Sequence, residues 1–220
     1  MKHRNHILLL TLGIFLCLVF ITVPITIPMI KQSNVEYIID PGHGLPDGGA
    51  IGLDGTTEQK LNLSIAQELY ALFDDGKAII SRNEDQGLWT SEGSIREKKV
   101  SDMKERVKLA NQHSEAVLLS IHMNTYPNSS VYGCQVFYKK DDAKSKELAQ
   151  KIQDLINKTL QSNHTKACKP IPDNLYLFKN TQNSAVLIEC GFLTNQTELT
   201  KLKDENYQKQ LAELIYRSTC

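Results

Sequence analysis

No C-x-x-C pair occurs in the 220 residues, although five cysteines do. Cys17, Cys134, Cys168, Cys190 and Cys220 are odd in number and widely spaced, which argues against both a zinc ribbon and a disulfide framework. A single Cys134–Cys168 or Cys168–Cys190 bridge fits the spacing, but free, buried thiols are the simpler expectation. Excess positive charge is also missing, because 25 Lys and Arg balance 25 Asp and Glu. Without a basic footprint a nucleic-acid partner has no electrostatic basis. Neither an internal repeat nor a low-complexity linker divides the chain.

Charge is absent in a second, local sense. From Ile7 to Ile30 there are 24 residues without a charged side chain, preceded by Lys2 and Arg4. Roughly 20 apolar residues suffice to cross a bilayer core, and a cationic start followed by such a run reads as an export signal or signal anchor. The run ends Thr26-Ile27-Pro28-Met29-Ile30-Lys31 with no small-x-small cleavage site, and no lipobox precedes Cys17. The expectation is an uncleaved anchor over residues 1–31, spanning the membrane at about 7–30, with the remainder outside the cytoplasm. Residues 32–220 then form one domain, carrying 22 basic against 25 acidic residues and a net charge of −3.

Within that domain strands and helices alternate. Apolar runs predict strands over Val35–Asp40, Lys77–Ser81, Ala116–Ile121, Gly133–Tyr138, Leu175–Phe178 and Ala185–Ile188. Helical spacing predicts helices over Glu58–Phe73, about Arg96–Gln112, Ala143–Leu160 and Tyr207–Arg217. The Ala116–Ile121 run is continuous, as in a strand covered on both faces. The pattern implies an α/β domain with a largely parallel sheet of about six strands and helices on both faces. In such sheets ligands sit at the carboxyl ends of strands.

Three predicted strands run out into residues suited to a metal: His43 in Asp40-Pro41-Gly42-His43-Gly44, His122 in Ser120-Ile121-His122-Met123-Asn124, and Glu189 in Ile188-Glu189-Cys190-Gly191. Glu58 adds a carboxylate at the start of the first helix. Two imidazoles and one carboxylate leave a fourth zinc position open for water, as in catalytic sites. A second carboxylate can then act as general base. Each residue alone has a plainer role: His43 a turn residue, His122 a half-buried histidine, Glu58 a helix-dipole partner, Glu189 half of an ion pair. Their convergence on one sheet rim is the stronger argument. The residues by themselves leave open which carboxylate would bind the metal.

The motifs taken in order resemble the zinc N-acetylmuramoyl-L-alanine amidases of the amidase-3 family. The resemblance spans residues 35–217 and rests on the segments around His43, His122 and Glu189. It also draws on Gly55-Thr56-Thr57-Glu58 with Leu61-Asn62-Leu63, Ser81-Arg82-Asn83-Glu84-Asp85, Asp102-Met103 with Arg106, and Phe192-Leu193-Thr194-Asn195. It implies one zinc per chain on His43, Glu58 and His122, with Glu189 catalytic. The implied reaction is hydrolysis of the amide between N-acetylmuramic acid and L-alanine in peptidoglycan. Asn62 and Asn124 are expected to position neighbours, and Asp102 and Arg106 to form an i, i+4 ion pair. Only 19 residues lie between Arg82 and Asp102, little room for the helix that covers the zinc in some relatives. The variant Gly44-Leu45-Pro46-Asp47-Gly48-Gly49 is similar to the sporulation amidases of endospore formers. That likeness implies a role in muramic δ-lactam formation in the spore cortex, and hence in germination. A zinc peptidase cutting within the stem, or a non-catalytic membrane-tethered wall-binding protein, would use the same residues differently. The sequence leaves open an activating protein partner.

Overall fold

Leu118 and Leu119 face opposite ways on one strand, and each is buried in a different hydrophobic cluster. A period of two with apolar residues on both sides demands cover on both faces. The computed structural model describes residues 35–220 and supplies that cover. Its elements run β1 (Tyr37–Pro41), α1 (Glu58–Tyr70), β2 (Ala78–Ile80), α2 (Ile95–Gln112), β3 (Val117–Asn124), β4 (Gln135–Tyr138), α3 (Ala143–Leu160), β5 (Lys169–Pro170), α4 (Tyr176–Asn180), β6 (Ala185–Phe192), α5 (Gln196–Leu202) and α6 (Glu205–Arg217). The single sheet has the order β2-β1-β3-β6-β4-β5, parallel throughout except where β4 meets β6.

On one face Ile39, Leu119, Ile121, Val186 and Ile188 pack against α1, α3, α5 and α6 through residues such as Ile65, Ile152, Leu199 and Ile215, all essentially buried. Each such side chain contributes about 1.5–3 kcal/mol. The other face is smaller: Ile38, Leu118 and Leu187 meet Ala110 of α2 and Leu177 and Phe178 of α4. The buried positions of α2 are Asp102, Arg106 and Ala110, so its inner side is polar toward the strand ends. Ser94 and Glu97 form a reciprocal cap at its start.

Four elements differ from the sequence reading. The segment expected as a strand over Leu175–Phe178 is the short helix α4, closed by Lys179 N–H to Leu175 O (3.1 Å) and Thr181 N–H to Leu177 O (3.0 Å). The sheet position beside β4 is taken instead by β5, which Ile171 N–H extends by donating to Tyr138 O at 2.8 Å. Four apolar residues satisfy a helix turn as well as a strand, and only the competition for that edge separates the two. Helix α5 went unread, although Asn195 caps it by accepting from Glu198 N–H at 3.0 Å. Helix α1 ends at Tyr70 rather than Phe73, and Thr57 precedes it without a side-chain cap bond. Loop carbonyls serve there: Glu58 N–H donates to Ala50 O (2.8 Å) and Gln59 N–H to Gly48 O (3.1 Å).

Cys134 and Cys190 are buried free thiols, whereas Cys168 is half-buried and Cys220 exposed. Among the described residues no helix is long and apolar enough to cross a membrane. The anchor expected over residues 1–31 lies outside the described residues.

Candidate metal centre

Strands β1, β3 and β6 are parallel neighbours, so their carboxyl ends share one rim. Beyond β1, Gly42 N–H donates to Ile121 O at 2.9 Å and the chain then turns through His43, whose φ is +61°. Gly42 passes so close beneath the His122 ring that a β-carbon there would stand 2.1 Å from Nε2. On β3, His122 pairs in register with Glu189 of β6, and a bulge follows between His122 and Asn124. Bulges of this kind re-aim side chains beside functional sites.

Glu58 stands at the first position of α1 and is 3% exposed. Its carboxylate lies between the two imidazoles: Oε2 is 3.2 Å from His43 Nε2, and Oε1 is 3.0 Å from His122 Nδ1. The same oxygens accept Ala50 N–H at 2.9 Å and Met123 N–H at 3.1 Å. Burial opposes this charge, yet the bonds from His122 and His43 hold the carboxyl far below its ordinary range. For His43, burial disfavours the imidazolium, but Asp47 and Glu58 outweigh it and raise the pKa to about 9. One ligand-type atom from each of His43, Glu58 and His122 lies within 4.8 Å of the others. This donor set, two imidazoles and one carboxylate, fits an open zinc site.

The sequence reading marks Asp47 only as part of the Gly44–Gly49 variant and gives it no role at the site. Its Oδ2 is 3.0 Å from His43 Nδ1, while Oδ1 takes Lys99 Nζ at 3.0 Å and Gly49 N–H at 3.2 Å. A carboxylate on the far nitrogen of a candidate ligand fixes its tautomer and ring orientation. The four-residue spacing from His43 was the available signal. Of the two asparagines, Asn62 donates to Gly42 O at 3.0 Å beside Glu58, whereas Asn124 bonds the adjacent Thr125 N–H and stays out of the site. Asp102 and Arg106 form the expected pair, 2.7 Å apart, but Arg106 reaches further, into the His43 turn.

Glu189 lines a cavity of about 430 Å³ together with His43, Glu58 and His122, and its Oε2 is buried without a hydrogen-bond partner. Burial raises its pKa, with His122 pulling against and Glu58 adding to the shift. An unclaimed carboxylate oxygen at that depth is costly unless something else uses it. Apolar side chains contribute to the same lining, among them Met103 and residues Leu175 to Phe178 around α4.

Among known proteins, residues 38–219 match the family described as N-acetylmuramoyl-L-alanine amidase. The germination-specific N-acetylmuramoyl-L-alanine amidase of Bacillus subtilis (strain 168) is 38% identical over 198 residues, covering 88% of this chain and 81% of its own length. The CwlD amidase from Clostridioides difficile, solved in complex with the GerS lipoprotein, superposes with a TM-score of 0.79 at 35% identity, covering 84% of this chain and 96% of that one. An N-acetylmuramoyl-L-alanine amidase from Clostridium difficile 630 gives 0.70 at 33% identity, over 84% and 95%.

Proposed function

The chain belongs to the amidase-3 family of N-acetylmuramoyl-L-alanine amidases, and from that premise we propose how it cuts peptidoglycan and where. The enzyme hydrolyses the amide that joins N-acetylmuramic acid to L-alanine. His43, Glu58 and His122 would hold one zinc ion per chain. The observation that carries this reading is their convergence within 4.8 Å at the strand rim, with Glu189 in register beside His122. When bound, zinc supplies a Lewis acid that polarises a carbonyl and lowers the pKa of water.

The chain's own residues do the rest. Glu189 accepts the proton of the attacking water and returns it to the alanine nitrogen as that nitrogen leaves. Its place in the cavity lining, with one carboxylate oxygen buried and unpartnered, supports this role. Asp47 holds His43 by Nδ1, so that Nε2 points at the Glu58 carboxylate. Gly42 leaves room for the His122 ring.

Residues 1–31 anchor the enzyme in a membrane, and residues 32–220 form its catalytic domain on the extracytoplasmic side, where peptidoglycan lies. The names of its relatives, a germination-specific amidase and a CwlD amidase, support work in the spore cortex, where stem removal precedes muramic δ-lactam. The complex of that second relative with a lipoprotein supports a protein partner for this chain too.

The test incubates zinc-loaded protein with isolated peptidoglycan and reads the released fragments by mass spectrometry, with a chelated sample alongside. Free stem peptides beginning at L-alanine, absent after chelation, are the expected result. Cleavage inside the stem would replace the amidase reading with a peptidase one. Equal release with and without chelator would remove the zinc.

A further inference from the structure

Where β1 ends, three consecutive carbonyls, those of Pro41, Gly42 and His43, leave the sheet and accept hydrogen bonds from two buried guanidiniums. Arg82 donates through Nε to Pro41 O (3.0 Å) and through Nη2 to Gly42 O (3.0 Å) and Gln59 O (2.9 Å). Arg106 donates through Nη1 to Pro41 O (3.0 Å) and through Nη2 to His43 O. Of the two, only Arg106 reaches the carbonyl of His43 itself. Its side chain is 1% exposed and is held at both ends: Nε pairs with Asp102 Oδ2 at 2.7 Å, and Nη1 pairs with Asp40. Asp40 is itself fixed by Ser81 Oγ (2.7 Å) and Ser120 Oγ (3.0 Å).

An ordinary i, i+4 ion pair needs none of this. A pair confined to α2 would face Asp102 alone, whereas this guanidinium ties α2 to β1 and to the turn beyond it. The turn has to be held, because His43 adopts φ +61°, a left-handed conformation that a β-carbon disfavours. Asp47 steers the imidazole from its far nitrogen; nothing on the ring fixes the backbone that carries it. We propose that Arg106 is a positioning residue for His43: through the His43 carbonyl it sets the strained turn that aims the imidazole, and so governs metal affinity. This rests on the reading of His43 as a zinc ligand.

Lysine preserves the charge but is a point donor on a flexible stem, unable to serve Asp40, Asp102 and two carbonyls at once. Arg106→Lys is therefore expected to weaken zinc binding by about 10- to 100-fold, the usual loss when a ligand's orienting partner is removed. Because the side chain is enclosed, KM is expected to stay at the wild-type value. The kcat falls at limiting zinc and recovers as zinc is raised. A merely structural arginine would lower the melting temperature and leave zinc affinity, well below that temperature, unchanged.

The experiment titrates full-length protein with zinc against a fluorescent chelator, then measures kcat and KM across zinc concentrations. Arg82→Lys serves as comparison and is expected to lose less affinity, since it leaves the His43 carbonyl held. Folded Arg106→Lys with wild-type zinc affinity overturns the proposal. If that variant does not fold, Asp102→Asn decides. It keeps an acceptor for Leu88 N–H (2.6 Å in the parent) while removing the charge that aligns Arg106. A several-fold loss of affinity supports the proposal and none overturns it. Wild-type protein that binds no zinc would instead refute the metal reading itself, a separate outcome.

Discussion

Replacing Glu189 by glutamine separates catalysis from stability. The substitution is isosteric, and Oε2 of Glu189 makes no hydrogen bond that the amide would forfeit. In its proposed role as proton carrier, Glu189 would account for about 10²–10⁴ in rate, which is about 3–5.5 kcal/mol of barrier height. Stability is expected to move the other way. Burial raises the folded-state pKa of this carboxyl above its ordinary value of 4.5. Below that value both folded and unfolded chains carry it neutral, and the wild type bears no penalty. As pH rises through the folded-state value the fold must bury a charge and loses stability, whereas the glutamine variant does not. In chelated protein, Glu189→Gln should therefore equal the wild type in urea at acid pH and match or exceed it at neutral pH. Zinc content, read by mass spectrometry of the metal, stays at one per chain. The kinetic assay is the initial rate of stem-peptide release at saturating zinc. A variant that keeps more than a tenth of the wild-type kcat, or that loses its zinc, would refute the assignment of Glu189 as an unligated base.

Substituting either candidate imidazole should have the complementary signature: His43→Ala and His122→Ala lose zinc and activity together, and full zinc content in both would overturn the ligand set. Gly42→Ala places a β-carbon 2.1 Å from His122 Nε2. It should displace the ring and weaken zinc binding while leaving the helical circular dichroism unchanged. Asp40→Asn should cost about 3 kcal/mol in urea at neutral pH by removing a charge from the buried partners of Arg106. Although burial opposes the charge, Arg106 and Ser81 lower the pKa of Asp40 below its ordinary 3.8. Its contribution is therefore complete above that value and lost as pH falls through the lower folded-state value, so the gap between wild type and variant should close in acid. A gap that persists unchanged there would contradict the charge-based account.

Most of the scaffold was legible along the chain, because strand and helix periods are local properties. The apolar alternation around Leu118 and Leu119, the spacing of Leu61, Ile65 and Leu69, and the run Ala185–Ile188 each carry their element without reference to the rest. Placing His43, His122 and Glu189 just past predicted strands needed only the rule that parallel strands end on one rim. The short elements were not legible in the same way. Leu175–Phe178 reads equally as a turn of helix or a strand, and its fate depended on β5 occupying the edge beside β4. Helix α5 is seven residues long, too short for periodicity to register.

The sequence by itself determined that this is an α/β amidase with His43, His122 and Glu189 following predicted strands and a second glutamate, Glu58, at the start of the first helix. Only the tertiary structure decided which glutamate lies between the imidazoles. Glu58 arrives there because the loop carbonyls of Gly48 and Ala50 cap α1 at the rim, while Glu189 is held one strand away, opposite His122. Likewise Asp102 and Arg106 look like a surface ion pair on a charged helix until α2 is laid across β1, where the guanidinium meets Asp40 and the carbonyl of His43. Contacts between residues 40 to 70 positions apart depend on how strands are ordered and helices docked, and no local pattern encodes that distance.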